Sequence, residues 1–180
     1  MLAPSRVCVP SQELAHLTQL QQWLIWWEVE LGRSAPPKLF DGEMRARTAR
    51  ALAQGDEVAG GHRVSALQRD VGRCLERLRL AYTSEHITPE GYSMDMRVQL
   101  GGGAYSVALE VDGPHHFSHD GAESGATRLK RRQLTRLGWR CVNVGYQEWY
   151  ALQRDAARED EYLRRKLMLP APTGNQHRRF

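Results

Sequence analysis

The sequence predicts an α/β fold: a mixed β-sheet flanked by helices, preceded by a small helical region at the N-terminus. Three observations carry this prediction. Apolar residues recur at helical spacing through Leu78. The period then switches to two between Tyr82 and Asp112. Beyond that point a basic helix, a strand and two further helices follow one another, the order of elements expected when helices cover a sheet. At 180 residues the chain has room for one domain with a small addition. The expected division is a helical region at 1–60, an α/β domain at 61–170 and a disordered tail at 171–180.

Residues 11–31 read as a helix, with Leu14, Leu17, Leu24, Trp27 and Leu31 on one stripe and Gly32 as its stop. Trp23, Trp26 and Trp27 give it a broad aromatic surface, suited either to burial against neighbouring helices or to docking on a partner. Pro36-Pro37 breaks the chain. Asp41 is placed to cap a second helix to about Ala53, and 55–61 reads as a linker. Ser65-Ala-Leu-Gln68 fits a capping box, in which two side chains satisfy the unpaired N–H groups at a helix start. The third helix then shows Val71, Leu75 and Leu78 on its apolar stripe. Tyr82–Ile87 is a weak strand. In Tyr92–Leu100 the side chains of Tyr92, Met94, Met96 and Val98 are expected on one face. Gly101-Gly102-Gly103 is a turn, and Tyr105–Asp112 is the next strand. Its two faces hold Val107, Leu109 and Val111 against Ala108, Glu110 and Asp112. A basic helix follows from Gly125 to Leu137, ended by Gly138. Trp139–Val144 is a strand, and helices at Tyr146–Leu152 and Glu159–Met168 close the chain before Pro170.

Composition bounds the function. The net charge is only +4, yet of 25 basic residues only Lys38, Lys130 and Lys166 are lysines. Arginine suits phosphate and base contact, although nucleotide bias in the source genome gives the same excess. Cys8, Cys74 and Cys141 are odd in number and far apart, which argues against a disulfide scaffold or structural zinc and for a reducing compartment. The apolar run around Trp23–Trp27 is far too short to span a bilayer. Residues 1–10 read as neither a signal peptide nor a transit peptide.

The chemistry concentrates between Val107 and Trp149. Glu110 and Asp112 lie two apart on one strand face, and the glycine turn decides whether Asp95 joins them. A two-residue Gly102-Gly103 turn puts Asp95 opposite Glu110, whereas a three-residue turn sends it to the other face. Three converging carboxylates would repel unless Mg²⁺, arginine and Lys130, or protonation of one acid intervened. Arg128, Lys130, Arg131, Arg132 and Arg136 follow, with no acid between Ser124 and Arg140. Such a run is either a solvated face or a phosphate contact. His115, His116, His119 and Asp120 lie in a turn seeded by Gly113-Pro114, without a recognised zinc spacing. Trp139 and Trp149 are capable of stacking on bases, but at strand and helix starts they read as core residues.

Glu110-Val-Asp-Gly-Pro-His115-His-Phe117, Gly125-Ala-Thr with Leu129-Lys-Arg-Arg, Leu137-Gly-Trp139, Glu148-Trp149, Tyr162-Leu163 and Lys166-Leu167 resemble, in order, the signature blocks of the RAP domain (RNA-binding domain abundant in Apicomplexans). The resemblance implies a C-terminal module of organellar RNA-processing or translation factors, in a mitochondrion or chloroplast. It also implies a sheet of the restriction-endonuclease-like type, similar to the PD-(D/E)-x-K nuclease core. On that likeness Asp95 and Glu110 take the two acid positions and would hold Mg²⁺ in an active enzyme. Asp112 stands where the pattern has lysine, and Lys130 would supply the missing cation. Asp95, Glu110, Asp112 and Lys130 are thus the catalytic candidates. His115, His116, Arg128, Lys130, Arg131, Arg132 and Arg136 are the RNA-binding candidates. Three functions follow as expectations: an organellar RNA-binding protein in RNA processing, stability or translation; a structural subunit of an organellar ribosome, docking through the 11–31 helix; and a Mg²⁺-dependent endoribonuclease.

Overall fold

The computed structural model describes residues 11–60, 65–114 and 122–170. The expected disordered tail at 171–180, and His115, His116, His119 and Asp120, lie outside the described residues. Helix α1 spans Ser11–Ile25 and runs into a π-helical turn at Trp26–Glu30. Helix α2 spans Gly42–Gly60 and α3 Ala66–Arg77. Strands β1 (Tyr82–Ile87), β2 (Ser93–Leu100) and β3 (Tyr105–Asp112) follow. Then come α4 (Gly125–Arg136), β4 (Arg140–Gly145), α5 (Tyr146–Tyr150) and α6 (Ala156–Leu167). The four strands form one mixed sheet in the order β1-β2-β3-β4. β1/β2 and β2/β3 pair antiparallel and β3/β4 pair parallel. The fold class is therefore the mixed α/β architecture expected, with helices on both faces.

One face of the sheet carries Met96, Val98, Leu109, Val111 and Val142. It packs on Leu67, Val71 and Leu75 of α3 and on Tyr162, Leu163 and Leu167 of α6. The other face packs Ala108 and Met94 on Leu134 of α4, Ile25 of α1 and Leu52 of α2. β3 lies between these layers, and every residue from Val107 to Asp112 is buried. A strand covered on both faces is ordinarily apolar throughout. Glu110 and Asp112 break that rule.

The caps form as the sequence directs. Ser65 Oγ accepts the Gln68 N–H at 3.0 Å while Gln68 Oε1 accepts the Ser65 N–H at 2.6 Å. Asp41 Oδ1 accepts the Met44 N–H at 2.8 Å. Gly138 sits at φ +92°, and the Trp139 N–H reaches back to Leu134 O at 3.0 Å. Two local expectations are corrected. The 55–61 stretch is not a linker up to Gly60, because α2 continues through it. Gly55 serves as a contact point instead: a Cβ there would stand 3.2 Å from Thr18 Oγ1 of α1, so the small residue lets the helices approach. The second correction concerns β2. Tyr92 and Met94 pack with Leu134, on the opposite face from Met96 and Val98. Two residues two apart share a face only in an unbroken strand, so the alternation changes phase at Asp95. Glu85, which falls opposite Asp95 by the β1/β2 count, has φ +51°, and the β1/β2 register skips it.

The N-terminal helices are tied to the sheet by polar bonds as well as apolar ones. Gln133 of α4 is fully buried. Its Oε1 accepts the Tyr92 hydroxyl at 2.6 Å and its Nε2 donates to Gln22 O of α1 at 2.8 Å. Gln21 Nε2 donates to Glu90 O at 2.9 Å, and Thr48 of α2 donates to Gln21 Oε1 at 2.6 Å. Replacing Gln133 by Leu removes its bonds to the Tyr92 hydroxyl and the Gln22 carbonyl. The expected cost is about 1–3 kcal/mol, read as a lowered denaturant midpoint at unchanged slope.

Candidate nucleic-acid interface

The glycine turn sets the register between β2 and β3, but not where Asp95 points. Leu100 pairs with Tyr105, so the loop is the four residues Gly101–Ala104, with all three glycines at positive φ. Four residues keep the parity of the two-residue turn, and the count still sets Asp95 against Glu110. The last Cα partners in the ladder, however, are Met96 and Leu109. Beyond them the Asp95 carboxylate takes up the backbone: Oδ2 accepts the Val111 N–H at 2.6 Å, and Oδ1 accepts Gln68 Nε2 of α3 at 2.7 Å. Asp95 is thus drawn to α3 rather than standing beside Glu110 on the α4 face.

Glu110 points toward α4 and is buried, 8% exposed. Its Oε2 accepts Lys130 Nζ at 2.9 Å, while Oε1 is buried without a hydrogen-bond partner among the described residues. Burial pushes its carboxyl up to about 7. Lys130 pulls the other way, and the charges of Asp95 and Asp112 add to the rise. Asp112 is equally enclosed, and Asn143 Nδ2 of β4 donates to its Oδ2 at 2.6 Å. Where the nuclease pattern has lysine, this acid joins two parallel strands. Of the answers to carboxylate repulsion, Lys130 is the one the geometry shows. The acids do not form a joint oxygen-donor set for Mg²⁺: both Asp95 oxygens are taken by protein N–H groups and Glu110 Oε2 by Lys130.

The basic residues of α4 separate into three kinds. Lys130 faces inward. Arg131 and Arg132 are paired with acids: Arg131 forks onto Glu123, and Arg132 Nε donates to Glu30 Oε1 of the π turn at 3.1 Å. Arg128 and Arg136 are exposed and have no carboxylate partner among the described residues. With Arg131, Arg132 and Thr135 they line an open groove of about 680 Å³ that reaches Cys141 at the edge strand β4. Ser124 caps the helix, its Oγ accepting the Thr127 N–H at 3.2 Å. The two candidate histidines, His115 and His116, fall outside the described residues. Trp149 is buried against Tyr162, with ring centroids 5.9 Å apart, as a core residue. Trp139 is only half-buried and lies beside Arg97 and His86.

The last signature blocks converge on one cluster. Tyr162 Oη and Lys166 Nζ both donate to Glu148 Oε2 at 2.8 Å, locking α5 to α6. Lys166 accordingly holds the Glu148 carboxyl below its ordinary value. The RAP domain family model matches residues 109–166, the segment that runs from within β3 through α4 and β4 to this closing pair. A RAP domain spans these residues. A RAP domain-containing protein, chloroplastic, from Oryza sativa subsp. japonica is 36% identical over 104 residues. That alignment covers 57% of this chain and 15% of the rice protein. The chain therefore spans about 15% of that relative's length, and the alignment extends beyond the RAP domain. The RAP domain match begins within β3, so β1, β2 and the first three helices, which complete its sheet and core, lie outside it.

Sequence reasoning missed Glu123 and Glu30 as partners of the arginines. Glu123 adjoins the acid-free run, eight residues before Arg131, and was legible as a neighbour. Glu30 is 102 residues from Arg132 and was not. Gln133 and Asn143 were missed too, since a single amide in a helix or strand carries no pattern.

The Glu110 shift has a sign that stability measurements can read. Its folded value of about 7 lies above the ordinary 4.5, so its contribution is full below pH 4.5 and is lost as pH rises through 7. Glu110→Gln is expected to flatten that fall, gaining on the parent protein between pH 4.5 and 7.5. Lys130→Met leaves a buried acid unpaired and is expected to cost on the order of 3 kcal/mol at pH 8, with a smaller loss at pH 5. Urea titrations at both pH values measure each effect.

Proposed function

We propose that the protein is an organellar RNA-binding protein whose RAP domain meets RNA phosphates along the outer face of α4. The observation that carries this reading is the arginine groove. Arg128, Arg132 and Arg136 recur every four residues on the solvent side of one helix. Arg128 and Arg136 have no described acid to neutralise them, and the groove is open. Arginine forks fit phosphate oxygens bidentately. A backbone-directed surface of this kind binds RNA without strong base preference. The rice relative's chloroplastic designation supports an organellar setting of the chloroplast type. Action in transcript processing, stability or translation is the finer part of the proposal. No helix among the described residues is long and apolar enough to cross a membrane.

Arg128→Glu combined with Arg136→Glu tests the reading better than changes at Arg131 or Arg132, whose charges already have partners. The expected result is a large loss of affinity for single-stranded RNA. The slope of log affinity against log salt should fall in magnitude by about 1.4, from two lost phosphate contacts. Unchanged affinity and slope in filter binding or fluorescence anisotropy would refute it.

A second reading, a structural subunit of an organellar ribonucleoprotein such as a ribosome, rests on the N-terminal aromatic surface. Trp23 stacks on Trp27 at 5.2 Å and on Phe40 at 5.7 Å, and stays 36% exposed, with Leu31 and Leu39 exposed nearby in sequence. Stable co-sedimentation with ribosomal particles in high salt is expected if the stack docks there. Release at moderate salt would leave only the phosphate contacts of α4.

A further inference from the structure

The α4 groove offers cations but no aromatic ring. A second surface on the same domain offers both. Trp139 follows the Gly138 turn, and its indole packs against the cluster of Ala108, Met94 and Leu134. It reaches back across the sheet rather than staying over β4. The Arg97 guanidinium of β2 lies over the ring, with Cζ 5.9 Å from its centroid. The His86 imidazole of β1 meets it edge-on, with centroids 6.0 Å apart at 60°. The side chain at position 108 of β3 is only a methyl group, leaving space above the sheet for a ring that starts beside β4 and reaches toward β1. All three side chains are half-buried, each keeping part of its surface in water.

Two features distinguish this cluster from ordinary core. Arg97 donates its Nε to Ser106 Oγ at 3.2 Å and has no carboxylate partner among the described residues, so both Nη groups are available to a ligand. His86 is held below its ordinary protonation range by burial and by the charge of Arg97, which keeps the imidazole a neutral flat surface. A stacked guanidinium, an indole and a neutral imidazole match a ligand with a flat π face and a polar rim. A nucleobase has both, and a phosphodiester supplies the anion for Arg97.

The geometry points to a nucleobase-stacking shelf formed by Trp139, Arg97 and His86, which takes an unpaired base of a single-stranded RNA. This inference rests on the proposed RNA reading of the RAP domain and assigns it a substrate class: single strands rather than duplex. A duplex keeps its base faces stacked inside, where no side chain reaches them, so only its backbone could use the surface. The shelf belongs to the described chain rather than to the matched segment alone, since His86 and Arg97 precede residue 109.

The test compares a short mixed-sequence single-stranded RNA with the same sequence as a duplex, using the full chain. Trp139→Leu is expected to weaken single-strand binding about tenfold, with the salt slope unchanged and duplex binding unmoved. Arg97→Gln lies at a position with a polar, half-exposed side chain and serves as the second variant, expected to weaken single-strand binding several-fold. Ultraviolet cross-linking of the parent protein should place the RNA adduct on a peptide containing Trp139. Single-strand affinity within twofold of the parent in both variants, or an equal loss on duplex RNA, would overturn the shelf while leaving the arginine groove standing. Retained binding in the Arg128 and Arg136 variant, with loss in the Trp139 variant, would overturn the groove instead.

Discussion

The contact between Glu110 and Lys130 governs how this domain presents itself. It joins the most enclosed strand of the sheet to the most basic helix, and it helps to set that helix's rotation. Successive residues in an α-helix turn by about 100°. With Lys130 directed at the sheet, Leu134 and Leu137 fall on the same side and complete the contact with the second core. Arg128, Arg132 and Arg136 then fall on the far side, facing water. Buried Leu134 and Gln133 fix the rotation of the helix, and one inward cation, held at 2.9 Å by a buried acid, fixes the same rotation. Such a pair is weak evidence for net stability, because both ions give up hydration. Its effect here is on orientation.

Charge on the outer face is shaped by neighbours as much as by α4 itself. Glu123 takes Arg131 and Glu30 takes Arg132, so the exposed run is less positive than its composition implies. Glu30 comes from the π-helical turn that ends α1, and that turn is anchored in turn by Glu28, whose carboxylate receives both Nη groups of Arg45 at 2.6 and 2.8 Å. Arg45 holds the Glu28 carboxyl below its usual range. The N-terminal helices therefore do two things at the sheet: they bury Leu134 and Gln133 of α4, and they neutralise one arginine of its outer face.

Much of the fold was legible because its signals are local. The capping box at Ser65–Gln68, the cap at Asp41, the glycine after α4 and the two-residue period of β3 each depend on a few adjacent residues, and each formed. The signals that misled were also local. Gly55 and its polar neighbours resemble a linker, yet the glycine is there because Thr18 of α1 comes close. The alternation of Tyr92, Met94, Met96 and Val98 looks unbroken, yet Asp95 interrupts it. Its carboxylate is held by an N–H of β3 and an amide of α3, neither adjacent to it in sequence. The same local logic located Glu110, Asp112 and the basic helix, because strand and helix periods place side chains on known faces.

By itself the sequence determined the order of elements, the mixed α/β class, the RAP resemblance and the pairing of an acidic strand with a basic helix. Those follow from periodicity, capping chemistry and motif order, which act over a few residues. Only the tertiary structure decided which acids meet. The loop between β2 and β3 keeps the parity that would bring Asp95 across to Glu110, but the phase change at Asp95 turns it to α3 and leaves Lys130 as the partner Glu110 has. Tertiary structure likewise decided which arginines remain open, since Glu30 lies 102 residues from Arg132. It also brought His86, Arg97 and Trp139 onto one shelf from three separate segments. Contacts across such separations depend on register and on the packing of whole helices, and neither is written in a window of neighbouring residues.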